Sequence, residues 1–317
     1  MKKILGILAL AAAGGLAACG GSNPLLAVAD VADGDADDGG GVGGDSDLPP
    51  GTASPSATGA IFRLEEGSEA QTFIYSAGTD TFTVDNMPFD GDDNLYVRVP
   101  APAGPGDPVS TLDPGVGPAE FAVYNNAEGV NAYKMVYGVG VSTETRFAIV
   151  RSSSYNDYGY GGFVYERDGS VVIPAGGSAN YTGEYAGIRN FDNQGGVELV
   201  DGEVLINVDF EDLNVGDAVQ GFITGRTVFD PETGTTITTL PTLVLNTGSI
   251  TDAGEINGTA TSTDAGGDGF ESGEYFAILS GADAGEMVGI VVVTSGNPGA
   301  AGGNIQETGG FLANVTP

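Results

Sequence analysis

From residue 58 to the C-terminus, apolar and polar residues alternate at a period of two, and no long stretch carries a 3.6-residue apolar period. Val204, Ile206, Val208 and Phe210 fall on one side of an extended segment, with Glu203, Asn207 and Asp209 on the other. Val219 and Ile223 oppose Gln220 and Thr224, and Ile256 and Ala260 oppose Asn257, Thr259 and Thr261. Clusters of Gly, Asn, Asp and Pro punctuate these runs. Side chains that change face at every residue describe half-buried strands, and short strands between frequent turns predict an all-β chain, a sandwich or a barrel.

Composition narrows the chemistry. The 317 residues include 43 acidic and 10 basic side chains, 54 glycines, one cysteine, and no histidine or tryptophan. Without His there is no Ser-His or Cys-His pair and no His-ligated zinc. One Cys excludes an intrachain disulfide and a Cys-ligated cluster. A net charge of -33 repels nucleic acid and anionic membrane surfaces, so no nucleic-acid partner is expected. No catalytic residue, cofactor or metal is expected. With so many acids, a pair of carboxylates carries no weight for glycoside hydrolysis. Several motifs are too loose to specify a site: Gly39-x-Gly41-x-x-Gly44 has no preceding strand, and Asp33-x-Asp35-x-Asp37 lacks the Gly and Glu of a calcium loop. Asp90-Gly-Asp92-Asp93-Asn94 reads as a solvated acidic turn. Gly266-Gly267-Asp268-Gly269-Phe270-Glu271 occurs once, where a calcium repeat would recur.

The N-terminus carries a targeting segment. Lys2 and Lys3 precede an apolar run from Ile4 to Ala13, too short to span a membrane, and small residues follow. The end of this segment, Leu16-Ala17-Ala18-Cys19, resembles the lipobox of bacterial lipoproteins. The resemblance implies that residues 1-18 are a signal peptide and that Cys19 is the site of lipid attachment, carrying enough acyl chains for stable anchoring. Gly20 after the Cys, instead of Asp, implies the outer membrane. Cleavage removes two lysines and no acid, taking the net charge from -33 to -35. Residues 19-57 then read as an acidic, Gly-rich tether. The segment after Cys19 holds seven Asp and no basic or aromatic residue, and cannot bury enough apolar surface to offset ordering.

Residues 175-317 give eight strand candidates: Asn180–Ala186, Val197–Phe210, Ala218–Phe229, Thr236–Asn246, Ile250–Thr261, Gly269–Leu279, Glu286–Thr294 and Gly310–Val315. Eight strands with short turns suit a closed antiparallel barrel with a filled interior, able to fold as its own unit. Few aromatics are available for membrane girdles, so a soluble barrel is expected. Residues 58-174 are also β-rich, with strand candidates Ala60–Leu64, Thr72–Tyr75, Thr81–Val84, Leu95–Val99, Phe121–Tyr124, Asn131–Val141 and Arg146–Arg151 and a Pro-rich loop from Pro100 to Pro118.

Specific motifs appear in order along the C-terminal part. Tyr181-Thr182-Gly183-Glu184-Tyr185-Ala186-Gly187 is followed by Val208-Asp209-Phe210, Val219-x-Gly221-x-Ile223 and Gly269-Phe270-x-x-Gly273-x-Tyr275-Phe276. Glu286-Met287-Val288-Gly289 and Gly309-Gly310-Phe311 complete the series. This order resembles the β-barrel domain of the transferrin-binding protein B family of surface lipoproteins. The resemblance implies that 175-317 is a barrel of that type and that 58-174 is a handle-like domain sharing in partner binding. It implies capture of a partner at the cell surface, often in iron or haem acquisition. The chain departs from the family pattern in having one barrel and no long basic loops.

The expectation is therefore a lipid-anchored, outer-membrane, cell-surface binding protein with an unknown protein or carrier ligand. The alternative is a structural or adhesive envelope lipoprotein without a dedicated soluble ligand. Partner contact is expected on Tyr155, Tyr158 and Tyr160, which sit among Gly, Ser and Asn in the stretch Ser152–Phe163. Tyr offers rigid contact area at low entropic cost, and its small neighbours let a loop adapt. The competing reading is a twisted hairpin whose tyrosines pack on the body of the protein.

Overall fold

The computed structural model describes residues 51–91, 94–99, 120–126, 133–152, 156–296 and 304–316. Cys19, Tyr155, the tether up to residue 50 and the Pro-rich loop lie outside the described residues. The chain is all-β, in two antiparallel sheets.

The N-terminal sheet contains β1 (Ile61–Leu64), β2 (Thr72–Ser76), β3 (Thr81–Asp85), β4 (Leu95–Arg98), β5 (Glu120–Asn126), β6 (Lys134–Val139), β7 (Thr145–Arg151) and β8 (Gly161–Arg167). Its order is β1-β8-β7-β6-β5-β4-β3-β2: a meander from β2 to β8, with β1 closing onto the last strand. Seven strands fall where the alternation puts them. β8 was missed, because all seven residues of Gly161–Arg167 are buried. A strand covered on both faces has no polar side to alternate with. The sheet is curled, and its two faces build different cores. Phe73, Phe82, Tyr96, Tyr124, Met135 and Val150 fill one. Phe121, Val136, Phe147, Ile149, Phe163 and Tyr165 face the barrel.

The second sheet contains β9 (Ser178–Phe191), β10 (Val197–Asp209), β11 (Val219–Phe229), β12 (Thr236–Thr239), β13 (Leu243–Ile250), β14 (Glu255–Thr263), β15 (Gly269–Ser280), β16 (Glu286–Gly296) and β17 (Asn304–Val315). β10 pairs with both β9 and β11, and β17 returns to pair with β9. That closes an eight-stranded barrel, with β12 appended to the end of β11 outside the ring. The expected single strand Thr236–Asn246 is two strands, broken at Leu240-Pro241-Thr242, where Pro241 has no N–H to donate. Ile250 ends β13 instead of opening the next strand. The turn Thr251–Gly254 intervenes, with Gly254 at φ 83°.

Inside, Tyr181, Tyr185, Tyr275, Phe210 and Phe311 pack with Val, Ile and Leu from every side of the ring. A Cβ at Gly309 would lie 2.1 Å from the ring of Tyr185, so only glycine admits that tyrosine there.

The curled sheet lies on the outside of the barrel. Ala186, Ile188, Leu199, Phe276, Ile278, Val288, Ile290 and Leu312 project outward from barrel strands into the shared core. Buried polar contacts fix the docking. Arg63 Nε donates to Glu255 at 2.6 Å. The fully buried Arg167 donates to the carbonyls of Leu279 (2.7 Å), Ala253 (3.0 Å), Ser56 and Gly59 (both 2.8 Å). Residues 51–57, assigned to the tether by composition, are hydrogen-bonded into the body. Thr52 N donates to Phe62 O, and Ala57 O accepts from Val171 N.

Candidate partner-binding surface

All three tyrosines fall in the segment between β7 and β8, and Tyr158 and Tyr160 are among the described residues. The segment is closed by Ser152 N donating to Tyr160 O at 2.9 Å and Gly159 N to Asn156 O at 2.8 Å. Asp157 and Gly159 take positive φ, as the reversal requires. The loop is pinned to the β9–β10 turn of the barrel. Asn193 N donates to Asp157 O at 2.6 Å, and Asn190 Nδ2 donates to Tyr158 O. Tyr158 and Tyr160 are half-buried. Tyr160 packs against the handle core, and its ring centroid lies 6.4 Å from that of Phe89.

Sequence reasoning did not single out Phe89. It is 66% exposed, and its backbone sits at φ 66°. A bulky residue in the left-handed region is an outlier that costs roughly 1–3 kcal/mol, so the surrounding loop must impose it. It does: Tyr133 Oη donates to Pro88 O at 2.6 Å, and Asn126 Nδ2 to Asp90 O at 2.6 Å. Asp90 is buried beside it, and burial raises its carboxyl above the usual range. Phe89 and Tyr160 thus form an aromatic pair on two fastened loops, and the half-buried Tyr158 lies on the second of these loops. The only sequence signal for Phe89 was its place beside the acidic turn.

A second feature is a cleft of about 350 Å³ lined by Phe121, Glu184, Tyr185, Asp201, Gly202, Glu203, Gly225 and Thr227. Burial and the neighbouring Glu203 raise the carboxyl of Glu184. Carboxylates only accept hydrogen bonds when ionised, so this cleft suits ammonium or guanidinium groups. Behind its wall lies a buried ionic network. Arg226 holds Glu271 in a two-pronged pair at 2.7 and 2.8 Å and Glu307 at 2.7 Å. Tyr185 Oη donates to Glu307 and Ser262 Oγ to Glu271. Each member of this network is used by another, and it braces the barrel from within. Among the described residues, no group of three or more Cys, Asp or Glu is placed to hold a metal ion. No helix among them is long and apolar enough to cross a membrane.

The fold defines the class: a closed eight-stranded barrel bearing a curled antiparallel sheet on its outer wall. No family model matches the chain, and no curated protein does. Among solved structures it is similar to a double mutant of the vaccine antigen transferrin binding protein B from Haemophilus parasuis Hp5, with 14% identity, 63% of this chain and 38% of that one covered, and a TM-score of 0.36. It is similar to isotype 1 transferrin binding protein B from serogroup B Neisseria meningitidis, with 13% identity, 82% and 44% covered, and a TM-score of 0.40. It is also similar to a crystal structure described as a surface lipoprotein, with 14% identity, 82% and 99% covered, and a TM-score of 0.30. The chain spans about two fifths of the length of the transferrin binding proteins. The first two of these neighbours carry the name of the family that the motif order from Tyr181 to Phe311 resembles.

Proposed function

We propose that this is a surface lipoprotein, anchored in the outer membrane through acylated Cys19, that captures a protein or a carrier molecule on its handle. The observation that carries the reading is Phe89, an exposed aromatic held in a strained backbone beside Tyr160, whose loop also carries Tyr155 and Tyr158. Strain maintained to display an apolar ring has no packing benefit and fits a contact residue. The barrel interior is filled by side chains, which favours capture on the outside over enclosure of a small ligand. The lipobox at Leu16–Cys19 supports the anchoring, and iron or haem acquisition is the process in which a family member of this kind would serve. Direct haem ligation has no His to rely on.

The test is a capture experiment with the mature chain against serum and envelope proteins. A Phe89→Ser, Tyr155→Ser, Tyr158→Ser variant should lose its partner while its melting temperature stays within a few degrees of the parent. Capture that survives the triple change would refute the aromatic patch. Tyr160→Ser serves as the packing control, because its ring contacts the handle core and its loss should lower the melting temperature. Anchoring has its own test: Cys19→Ala should move the protein from the membrane fraction to the soluble one and abolish palmitate labelling.

A further inference from the structure

The barrel wall facing away from the handle differs in chemistry from the rest of this acidic chain. Strand register places Leu205 on β10 opposite Phe222 on β11, and Phe222 opposite Val244 on β13. Thr182 on β9 continues the row beyond Leu205, and Thr261 on β14 continues it beyond Val244. Neighbouring strands lie about 4.8 Å apart, so the row of five spans about 19 Å. Leu205 and Phe222 are each 45% exposed, and both threonines are exposed. Adjacent outward positions are Asn207 and Gln220, paired across β10 and β11, and Asn246, whose amide donates to Thr259 and Thr261 at 3.1 and 3.2 Å. Carboxylates flank the row at Glu203 and Glu184, which pair across β10 and β9, at Asp209 beyond Asn207, and at Glu274 opposite Thr259, and the row itself carries none.

Two features of this face select its occupant. A like-on-like contact needs groups that can pair with themselves. Thr, Asn and Gln both donate and accept, whereas ionised carboxylates only accept. Two cleaved chains, each at a charge of -35 once Lys2 and Lys3 are gone, can also approach most cheaply where carboxylates are fewest. We propose that this row is a self-association surface through which two copies of the chain pair barrel to barrel, with Phe222 at the centre of an isologous contact. It is independent of the partner patch, which lies on the handle loops. The remaining force between the copies is repulsion, so salt should tighten the pair.

Sedimentation equilibrium tests this on residues 19–317 carrying Cys19→Ser, so that neither an acyl chain nor a disulfide joins the copies. A monomer–dimer equilibrium is expected, shifting toward dimer as sodium chloride is raised. Phe222→Asp and, at the end of the row, Thr182→Glu should each raise the dissociation constant by about tenfold or more, equivalent to about 1.4 kcal/mol. Ile237→Ser, an equally exposed apolar site on β12, should leave it unchanged. A monomer at all concentrations and salt levels would overturn the proposal. So would a dimer indifferent to both row variants, or a monomer that floats with phosphatidylcholine vesicles. Because both row positions point to solvent, thermal melts of the variants should match the parent.

Discussion

Arg226 shows how one residue's backbone can decide the interior of a barrel. Asp201 pairs with Thr227 and Glu203 with Thr224, so Gly225 and Arg226 together oppose the single residue Gly202. This bulge, with Gly225 at φ 64°, turns Arg226 inward and carries its guanidinium across the barrel to Glu271 and Glu307. Burial works against its charge, and the two carboxylates outweigh that effect. Arg226→Met should therefore destabilise by about 3–5 kcal/mol, because buried Glu271 loses its counter-charge and buried Glu307 keeps only Arg189, at 3.3 Å. Adding Glu271→Gln and Glu307→Gln should recover much of the loss, as urea melts would report. Gly225→Ala places a side chain in the left-handed region and should cost about 1–2 kcal/mol. Glu166 on β8 gives a pH signature. Burial, outweighing Arg146 at 3.3 Å, pushes its carboxyl up to about 7 from an ordinary 4.5. Between these values the native state keeps a proton that the unfolded chain has released. Its contribution to stability therefore falls as pH rises through that window, by up to about 1.4 kcal/mol per pH unit, and is constant outside it. Glu166→Gln, which mimics the protonated form, should flatten that part of the stability–pH profile relative to the parent. An unchanged slope would assign it to other groups.

At the scale of elements, the β6–β7 turn is fastened to the barrel by one carboxylate. Glu286, the first residue of β16, accepts from Ser142 N at 3.0 Å, from Ser142 Oγ at 2.6 Å and from Thr145 Oγ1. Three bonds to a charged acceptor make this turn part of the docking. Glu286→Ala should cost about 2–4 kcal/mol and speed amide exchange at Ser142 before that of the strand cores. Most elements were legible beforehand because their two faces differ. Val204, Ile206 and Val208 point into the barrel and their neighbours point to water, so the alternation registers as a strand. β8 was illegible for the opposite reason: Phe163 and Tyr165 face the barrel while Val164 faces the handle core. Its first residues, Gly161–Phe163, belong by composition to the Tyr- and Gly-rich stretch Ser152–Phe163. The break at Pro241 was readable in principle, and the Thr-rich run around it masked the signal.

In the whole molecule, handle and barrel share one apolar interface. The barrel alone satisfies its own backbone hydrogen bonds by closure. It nonetheless presents Ile188, Leu199, Phe276, Ile278, Val288, Ile290 and Leu312 on its outer wall, where the handle covers them. Fragment 175–317 should consequently show a strand-type circular dichroism spectrum, bind a hydrophobic dye strongly and aggregate, whereas residues 51–317 should stay dispersed. A dispersed, dye-free fragment with a cooperative melt would show that the barrel stands alone. The tyrosine stretch also acquires its meaning at this scale. Its loop touches the barrel turn through Asn190 and Asn193, contacts more than 30 residues away in sequence.

The alternation of apolar and polar residues, the turn residues between the runs and the motif series from Tyr181 to Phe311 determined that the chain is all-β and that its C-terminal part closes as an eight-stranded barrel. These are local properties, set by the two-residue period of a strand and by which residues tolerate a turn. The tertiary structure alone decided which barrel wall the handle covers and which is left open. It alone decided that Arg226 and Glu271, on strands across the ring from each other, meet inside, and that Phe89 is held out beside Tyr160. Those outcomes depend on register, on a single bulge and on contacts between residues far apart in the chain, and no local pattern encodes the distance between them.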